Sequence, residues 1–304
     1  MPAELLEYLR PERGGRYLDG TLGGGGHALA ILEAEPSVWL VGLDRDPAAI
    51  EAASKRLSDH ADHAELIRGD FRNAPDLLGV KGAGLAGALL DLGVSSHQID
   101  EQARGFSFRP GTSLNMRMGG TTGGRGPAAD LLNTASEAEL GRVFREYGEE
   151  RRWKALAREV ARRRRDRPFK VSDDLLAAMS RVLGTRLTAK DKARIFQAVR
   201  IAVNDEIGAL EDGIVAIREM LRPGGRVVVI SYHSLEDRVV KNAFREWSQA
   251  CVCPPRLPEC RCRGRALGRT LTRRPIRPTE AEIERNSRAR SAKLRAWEAA
   301  GTSG

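Results

Sequence analysis

From residue 16 to residue 93 the chain alternates short β-forming runs with helical stretches, and each β-forming run stops at or beside an aspartate. "RYLDG" and "VWLVGLD" read as the first two strands, "AELIRGDF" and "LAGALLDLG" as the third and fourth. Between them lie "HALAILEAE", "PAAIEAASKRL" with proline in its first turn, and a short helix around "NAPDLL". Strands that alternate with helices at this spacing form βαβ units, and βαβ units build a parallel sheet covered by helices. The fold class is therefore α/β.

From residue 104 the pattern changes. "RGFSFRPGTSLNMRMGGTTGGRG" is glycine-rich and without period, a loop long enough to carry function. "AADLLNTASEAELGRVFREYG", "EERRWKALAREVARRRRDR" and "SDDLLAAMSRVL" are helical in period, with no strand candidate among them. One long helical stretch, "ARIFQAVRIAVNDEIGALEDGIVAIREM", leads back to a Pro-Gly turn and a fifth strand in "LRPGGRVVVISYHS". A helix, "LEDRVVKNAFREWSQ", and two β candidates, "RTLTRRPI" and "SAKLRAW", complete the chain. The expected organisation is a discontinuous sheet domain, 1–103 with 206–304, interrupted by a loop plus all-helical insert over 104–205.

The charge is segregated. Residues 104–205 hold 22 Lys/Arg against 12 Asp/Glu, and residues 251–304 hold 13 against 5, within a chain of net charge +9. The remainder is acidic, so two basic regions sit on an acidic body, a distribution that suits a polyanionic partner such as nucleic acid. No apolar run approaches the roughly 18 residues of a membrane span, and no leader pattern follows Met1; a cytoplasmic protein without a membrane partner is expected.

"YLDGTLGGGGH" places its glycines directly behind the first strand, where a doubly wound sheet binds ligands. Gly23, Gly25 and Ala28 fit a loose G-x-G-x-x-A pattern, which by itself favours a nicotinamide dinucleotide. Asp19 argues otherwise, because a pyrophosphate there would meet a negative charge. Carboxylates at four strand ends (Asp19, Asp44, Asp70, Asp91) suit a sulfonium-bearing nucleoside, S-adenosylmethionine, with Asp44 placed to hold ribose hydroxyls and Phe71 at the adenine end. The structural alternative for each carboxylate is a helix N-cap.

"YLDGTLGGGGH", "GLDRDP", "LLDLGVSSHQID", "RGFSF", "NMRM", "FQAVRIAVNDE", "PGGRVVVISYHSLEDR" and "NSRARSAKLR" occur in order along the chain. Together they resemble the bacterial ribosomal RNA small-subunit methyltransferase H family, which methylates N4 of a cytidine in 16S rRNA near the decoding centre. The resemblance implies a class I (Rossmann-like) methyltransferase sheet with a helical insert, S-adenosylmethionine as cofactor, and 16S rRNA within the small ribosomal subunit as partner. Carried over residue by residue, the cofactor contacts fall on Gly25, Gly26, His27, Asp44, Phe71, Asp91 and Gln98. The chain departs from the usual family residues at His97 (Pro), Asn115 (Asp), Tyr232 (Phe) and Ser287 (Pro), and it lacks the usual His-x-Pro-Val-Leu opening.

Asp91 stands where amino-methyltransferases carry the acidic residue of a D-P-P-Y-type motif, here Asp91-Leu92-Gly93-Val94, and is the expected catalytic residue. Phe106 and Phe108 are candidate stacking surfaces for an extruded base. Arg163 and Arg164, in the run "REVARRRRDR", are candidate phosphate contacts. Cys251, Cys253, Cys260 and Cys262 form two C-x-C pairs that could surround a zinc ion, or a reduced, metal-free loop. A nicotinamide-dependent dehydrogenase and a non-catalytic RNA-binding protein are the rival functions.

Overall fold

All five β-forming runs are parallel strands: β1 (Gly15–Asp19), β2 (Val38–Asp44), β3 (Ala64–Arg68), β4 (Leu85–Asp91) and β5 (Leu221–Ser231). The computed structural model describes residues 1–79, 83–94, 101–119, 126–184, 186–253 and 261–301. The chain divides into two units, Met1–Gly93 with Ile207–Gly304, and Val94–Glu206.

In the first unit the sheet order is β3-β2-β1-β4-β5-β7-β6. Both faces are covered, so the central strands are apolar at consecutive positions rather than alternating ones. Tyr17, Leu40, Leu89 and Val228 bury on one face, and Leu18, Val41, Leu90 and Val229 on the other. Helices α2 (Gly26–Ala34), α3 (Pro47–Arg56) and α4 (Ala74–Leu78) connect the first four strands. The opening segment is also a helix, α1 (Pro2–Leu9), which buries Leu5 and Leu9.

The edge beyond β5 is antiparallel. The "SAKLRAW" run is β7 (Lys293–Ala299), which pairs β5 with Val228 opposite Ala296. "RTLTRRPI" supplies only the three-residue β6 (Gly268–Thr270) and a bridge from Ile276 to Leu294. The helix after β5, α11 (Ser234–Trp247), is fixed to β7 by charge. Asp237 accepts from Arg295 Nε at 2.7 Å and from Lys293 Nζ at 3.5 Å. "HSLEDR" and "RSAKLR" are thus two halves of one structural lock.

The second unit contains α5 (Ala128–Thr134), α6 (Glu137–Glu146), α7 (Trp153–Asp166), α8 (Ser172–Leu183) and α9 (Ala189–Asn204) around a core that includes Phe144, Leu156, Phe169 and Met179. The long helical stretch expected from 193 to 220 is broken. Asp205 adopts φ 51°, ψ 44°, ending α9, and α10 (Glu206–Met220) starts immediately afterwards. The buried Asn204 explains the break, because its side chain is used sideways: Nδ2 donates to Met116 O at 2.7 Å, and Oδ1 accepts from Met118 N at 2.8 Å. "NMRM" is therefore held to α9, and Asn115 Oδ1 accepts from Arg117 Nε at 2.7 Å within it. Among the described residues no helix is long and apolar enough to cross a membrane.

Candidate active site

Strand order creates the site. Going from β1, the connections run outward to β2 and β3, then return to place β4 on β1's other side. Ligands of such sheets lie beyond the carboxyl ends at this reversal. Asp19 ends β1 and Asp91 ends β4, adjacent strands in register through the Asp19–Leu89 pair. Asp44 ends β2, the neighbour on the other side.

The glycine turn is built around Asp44. Its Oδ2 accepts from Gly23 N and its Oδ1 from Asp46 N, each at 2.8 Å. Gly23 and Gly25 have φ of 51° and 75°, the left-handed region that glycine enters without a Cβ penalty. A Cβ on Gly25 would stand 3.2 Å from Ala53, so the bare backbone lets α2 and α3 approach. Gly26 begins α2. Burial is the main cause that raises the Asp44 carboxyl above its ordinary value.

Asp91 is placed by three neighbours. Its backbone N donates to Thr21 Oγ1 at 2.6 Å, its Oδ1 accepts from Tyr232 Oη at 3.0 Å, and its Oδ2 lies 3.3 Å from His27 Nε2. Burial lowers the His27 pKa, but the bond to Asp91 and the charges of Asp91 and Asp19 outweigh it, and the net shift is upward. Gly93, at φ 106°, passes over the Tyr232 ring, where a Cβ would come to 3.3 Å. Sequence reasoning missed Tyr232 as a donor and Thr21 altogether; the departure at Tyr232 was its only visible signal.

Asp19 is 1% exposed, accepts from Thr21 N at 3.1 Å, and leaves its buried Oδ2 without a hydrogen-bond partner among the described residues. Burial pushes its carboxyl up to about 7 from an ordinary 3.8, while His27 opposes the shift. The folded state keeps this proton to higher pH than the unfolded chain. Its stabilisation is therefore complete below about pH 4 and is lost as the pH rises through about 7. Asp19→Asn should raise the melting temperature at pH 8 and leave it nearly unchanged at pH 4. The same substitution should weaken a cationic ligand. Thermal melts at the two pH values check this; a pH-independent difference would show that Asp19 does not titrate in that window.

The remaining sequence candidates separate. Phe71 follows β3, with its ring seated on Gly213 of α10, where a Cβ would meet Cδ2 at 2.5 Å. Asp70 is the N-cap alternative realised, accepting from Arg72 N at 3.0 Å. Gln98 and Cys260 lie outside the described residues. In the second unit, Phe106 and Phe108 pack against the helical core, and Phe108 meets Phe196 edge-on at 6.0 Å between centroids. Arg164 is engaged inside that unit: Nη1 donates to Leu132 O at 3.1 Å and Ala135 O at 2.6 Å, closing the end of α5. That nitrogen is a helix cap, which narrows the phosphate reading to its neighbours. Arg163 is half-buried and Arg165 exposed. An unexpected basic and aromatic surface lies nearby on α6 and α7, where Arg145 and Lys154 stand 5.4 and 5.2 Å from the centre of the Trp153 ring.

Acidic strand ends over a glycine turn, on a sheet in which β7 pairs antiparallel with β5, fit a Rossmann-like class I methyltransferase dependent on S-adenosylmethionine. Residues 1–300 match the model of the MraW methylase family, and the chain belongs to that family. It is 52% identical over 290 residues to the ribosomal RNA small subunit methyltransferase H of Gemmatimonas aurantiaca, covering 93% of this chain and 89% of that one. The protein of the same name from Geobacter sulfurreducens is 48% identical over 303 residues, covering 98% and 97%. Among solved structures, an rRNA methylase from Streptococcus thermophilus aligns over 98% of this chain and 93% of its own, with 12% identity and a TM-score of 0.43.

The site fits the cofactor on its own chemistry. The unpartnered Asp19 Oδ2 and the charge of Asp91 suit a sulfonium, and Asp44 retains lone pairs for hydroxyl donors.

Proposed function

We propose that this protein methylates ribosomal RNA, transferring a methyl group to the exocyclic N4 of a cytidine in 16S rRNA near the decoding centre. The observation that carries the reading is Asp91, a carboxylate at the end of β4 held by Tyr232 and His27 beside a second carboxylate, Asp19. The relatives' shared name supports ribosomal RNA of the small subunit as the substrate. Sequence resemblance supports the cytidine N4 position.

Bound S-adenosylmethionine would supply an electrophilic methyl group. The residues of this chain do the rest. The Gly23–Gly26 turn and the first N–H groups of α2 would receive the methionine end, where a carboxylate meets the positive end of a helix. Asp44 would accept from the ribose hydroxyls. The cytosine amine is a weak nucleophile because its lone pair is delocalised into the ring. Asp91 would accept one of its N–H bonds, letting the nitrogen pyramidalise, and take the proton that the amine loses. Tyr232 and His27 fix which way the Asp91 oxygens point.

The test is transfer of labelled methyl from S-adenosylmethionine to small subunits taken from cells that lack this enzyme. Label in 16S rRNA supports the reading; label confined to other RNA, or none, refutes it.

The basic insert is proposed to contact phosphates, giving affinity rather than base choice. Arg163→Gln with Arg165→Gln should flatten the salt dependence of RNA binding, by about 0.7–0.9 in log–log slope per lost phosphate contact. Arg164→Gln should instead lower the melting temperature, because Leu132 and Ala135 carbonyls lose a charged donor worth about 1.5–3 kcal/mol. Salt titrations and melts of the two variants separate the effects. An unchanged slope in the double variant would make the run a solvated helix face.

A further inference from the structure

The described part of the connection from α11 to β6, residues 248–253 and 261–267, holds no buried residue, and Val252 is 39% exposed. It is tied at its margins. Arg263 donates through Nη2 to the carbonyls of Glu246 and Gln249, and Leu267 N donates to Trp247 O at 2.8 Å. Between those ties three cysteine sulfurs converge.

The Sγ atoms of Cys251, Cys253 and Cys262 all lie within 4.8 Å of one another, and no disulfide joins them. A tetrahedral zinc ion about 2.3 Å from each sulfur spaces them about 3.8 Å apart, which falls inside the 4.8 Å that bounds the three sulfurs. Val252 N also points at Cys262 Sγ, 3.4 Å away, the amide-to-sulfur contact that supports a thiolate ligand. A zinc–thiolate centre carries negative charge, and Arg261, Arg263 and Arg265 flank Cys262 in the sequence.

We propose that Cys251, Cys253 and Cys262 supply three thiolate ligands of a four-coordinate structural zinc site just beyond the end of α11. Thiolate ligands favour zinc over hard cations such as magnesium or calcium. Binding releases the thiol protons to solvent and replaces the missing apolar core with metal–ligand bonds. The site is chemically separate from the carboxylates at the strand ends, so it stands or falls independently of the methyl-transfer reading.

The full chain, purified under reducing conditions without chelators, should carry close to one zinc per chain. After removal of the zinc, titration with cobalt(II) chloride should give sulfur-to-cobalt charge-transfer absorption in the near ultraviolet and the visible bands of a tetrahedral ion. Cys253→Ser with Cys262→Ser should reduce bound zinc to below about one-tenth per chain. The stripped wild-type protein should be cleaved within 248–267 about tenfold faster by a low dose of trypsin, with the rate restored by zinc. Wild-type protein that holds no zinc and gives no sulfur-to-cobalt band overturns the proposal, and that result does not depend on whether the double variant folds. Full zinc retention by a folded double variant overturns it as well, by moving the ion elsewhere.

Discussion

Asparagine in place of Asp91 should lower the turnover of methyl transfer about 10²–10⁴-fold, the range for loss of a positioned proton acceptor. S-adenosylmethionine affinity should fall far less. The substitution preserves shape and keeps an oxygen for the Tyr232 hydroxyl, now 3.0 Å from Oδ1. It removes the charge, and with it the partner that raises the His27 pKa. The pH at which His27 titrates should therefore move down in Asp91→Asn, a shift visible in the imidazole resonances. Tyr232→Phe is the matched control. It keeps the carboxylate charge and removes one donor, so turnover should change by less than about tenfold. Asp91→Asn protein that binds cofactor weakly but turns over normally at saturation would make Asp91 a binding residue only.

Asp44→Ala acts at the other end of the cofactor. It should weaken S-adenosylmethionine by about 1.5–3 kcal/mol, roughly 10- to 150-fold, for the loss of charge-assisted bonds to ribose hydroxyls. The structure adds a cost that the sequence did not reveal. Both Asp44 oxygens already accept from backbone, at Gly23 N and Asp46 N, so alanine also frees two donors of the turn. The loss should sit at the upper end of the range, and kcat at saturating cofactor should hold within about twofold. Calorimetric titration and steady-state rates measure the two quantities. Unchanged affinity would mean that the ribose is held elsewhere.

Most of the sheet was readable because its strands are buried on both faces. Runs such as "LAGALLD" are apolar at consecutive positions and end at an aspartate. Strand ends were therefore visible, but strand neighbours were not. His27 meets Asp91 only because β4 returns to lie beside β1, a long-range pairing that no local pattern encodes. The same limit hid Tyr232, which reaches Asp91 from the end of β5. The insert misled for a different reason. Helical period continues through "AVNDEIGAL", while the break at Asp205 is set by the use of Asn204 to hold the Met116–Met118 backbone, a tertiary demand that overrides local propensity. Arginine runs are equally ambiguous in sequence. Arg164 looks like its neighbours until its bonds to Leu132 and Ala135 are seen.

If Asp91 receives an amine proton, the methyl group must arrive on an exocyclic nitrogen, so its chemical position is decisive. Small subunits lacking the modification are incubated with the protein and S-adenosylmethionine. Their 16S rRNA is digested to nucleosides and separated against standards of cytidine methylated at N4 and at C5, which share a mass. Methyl on the exocyclic N4 of one cytidine, abolished in Asp91→Asn at equal cofactor saturation, is the predicted result. Methyl on a ring carbon or on another base, formed at the wild-type rate by Asp91→Asn, would contradict it.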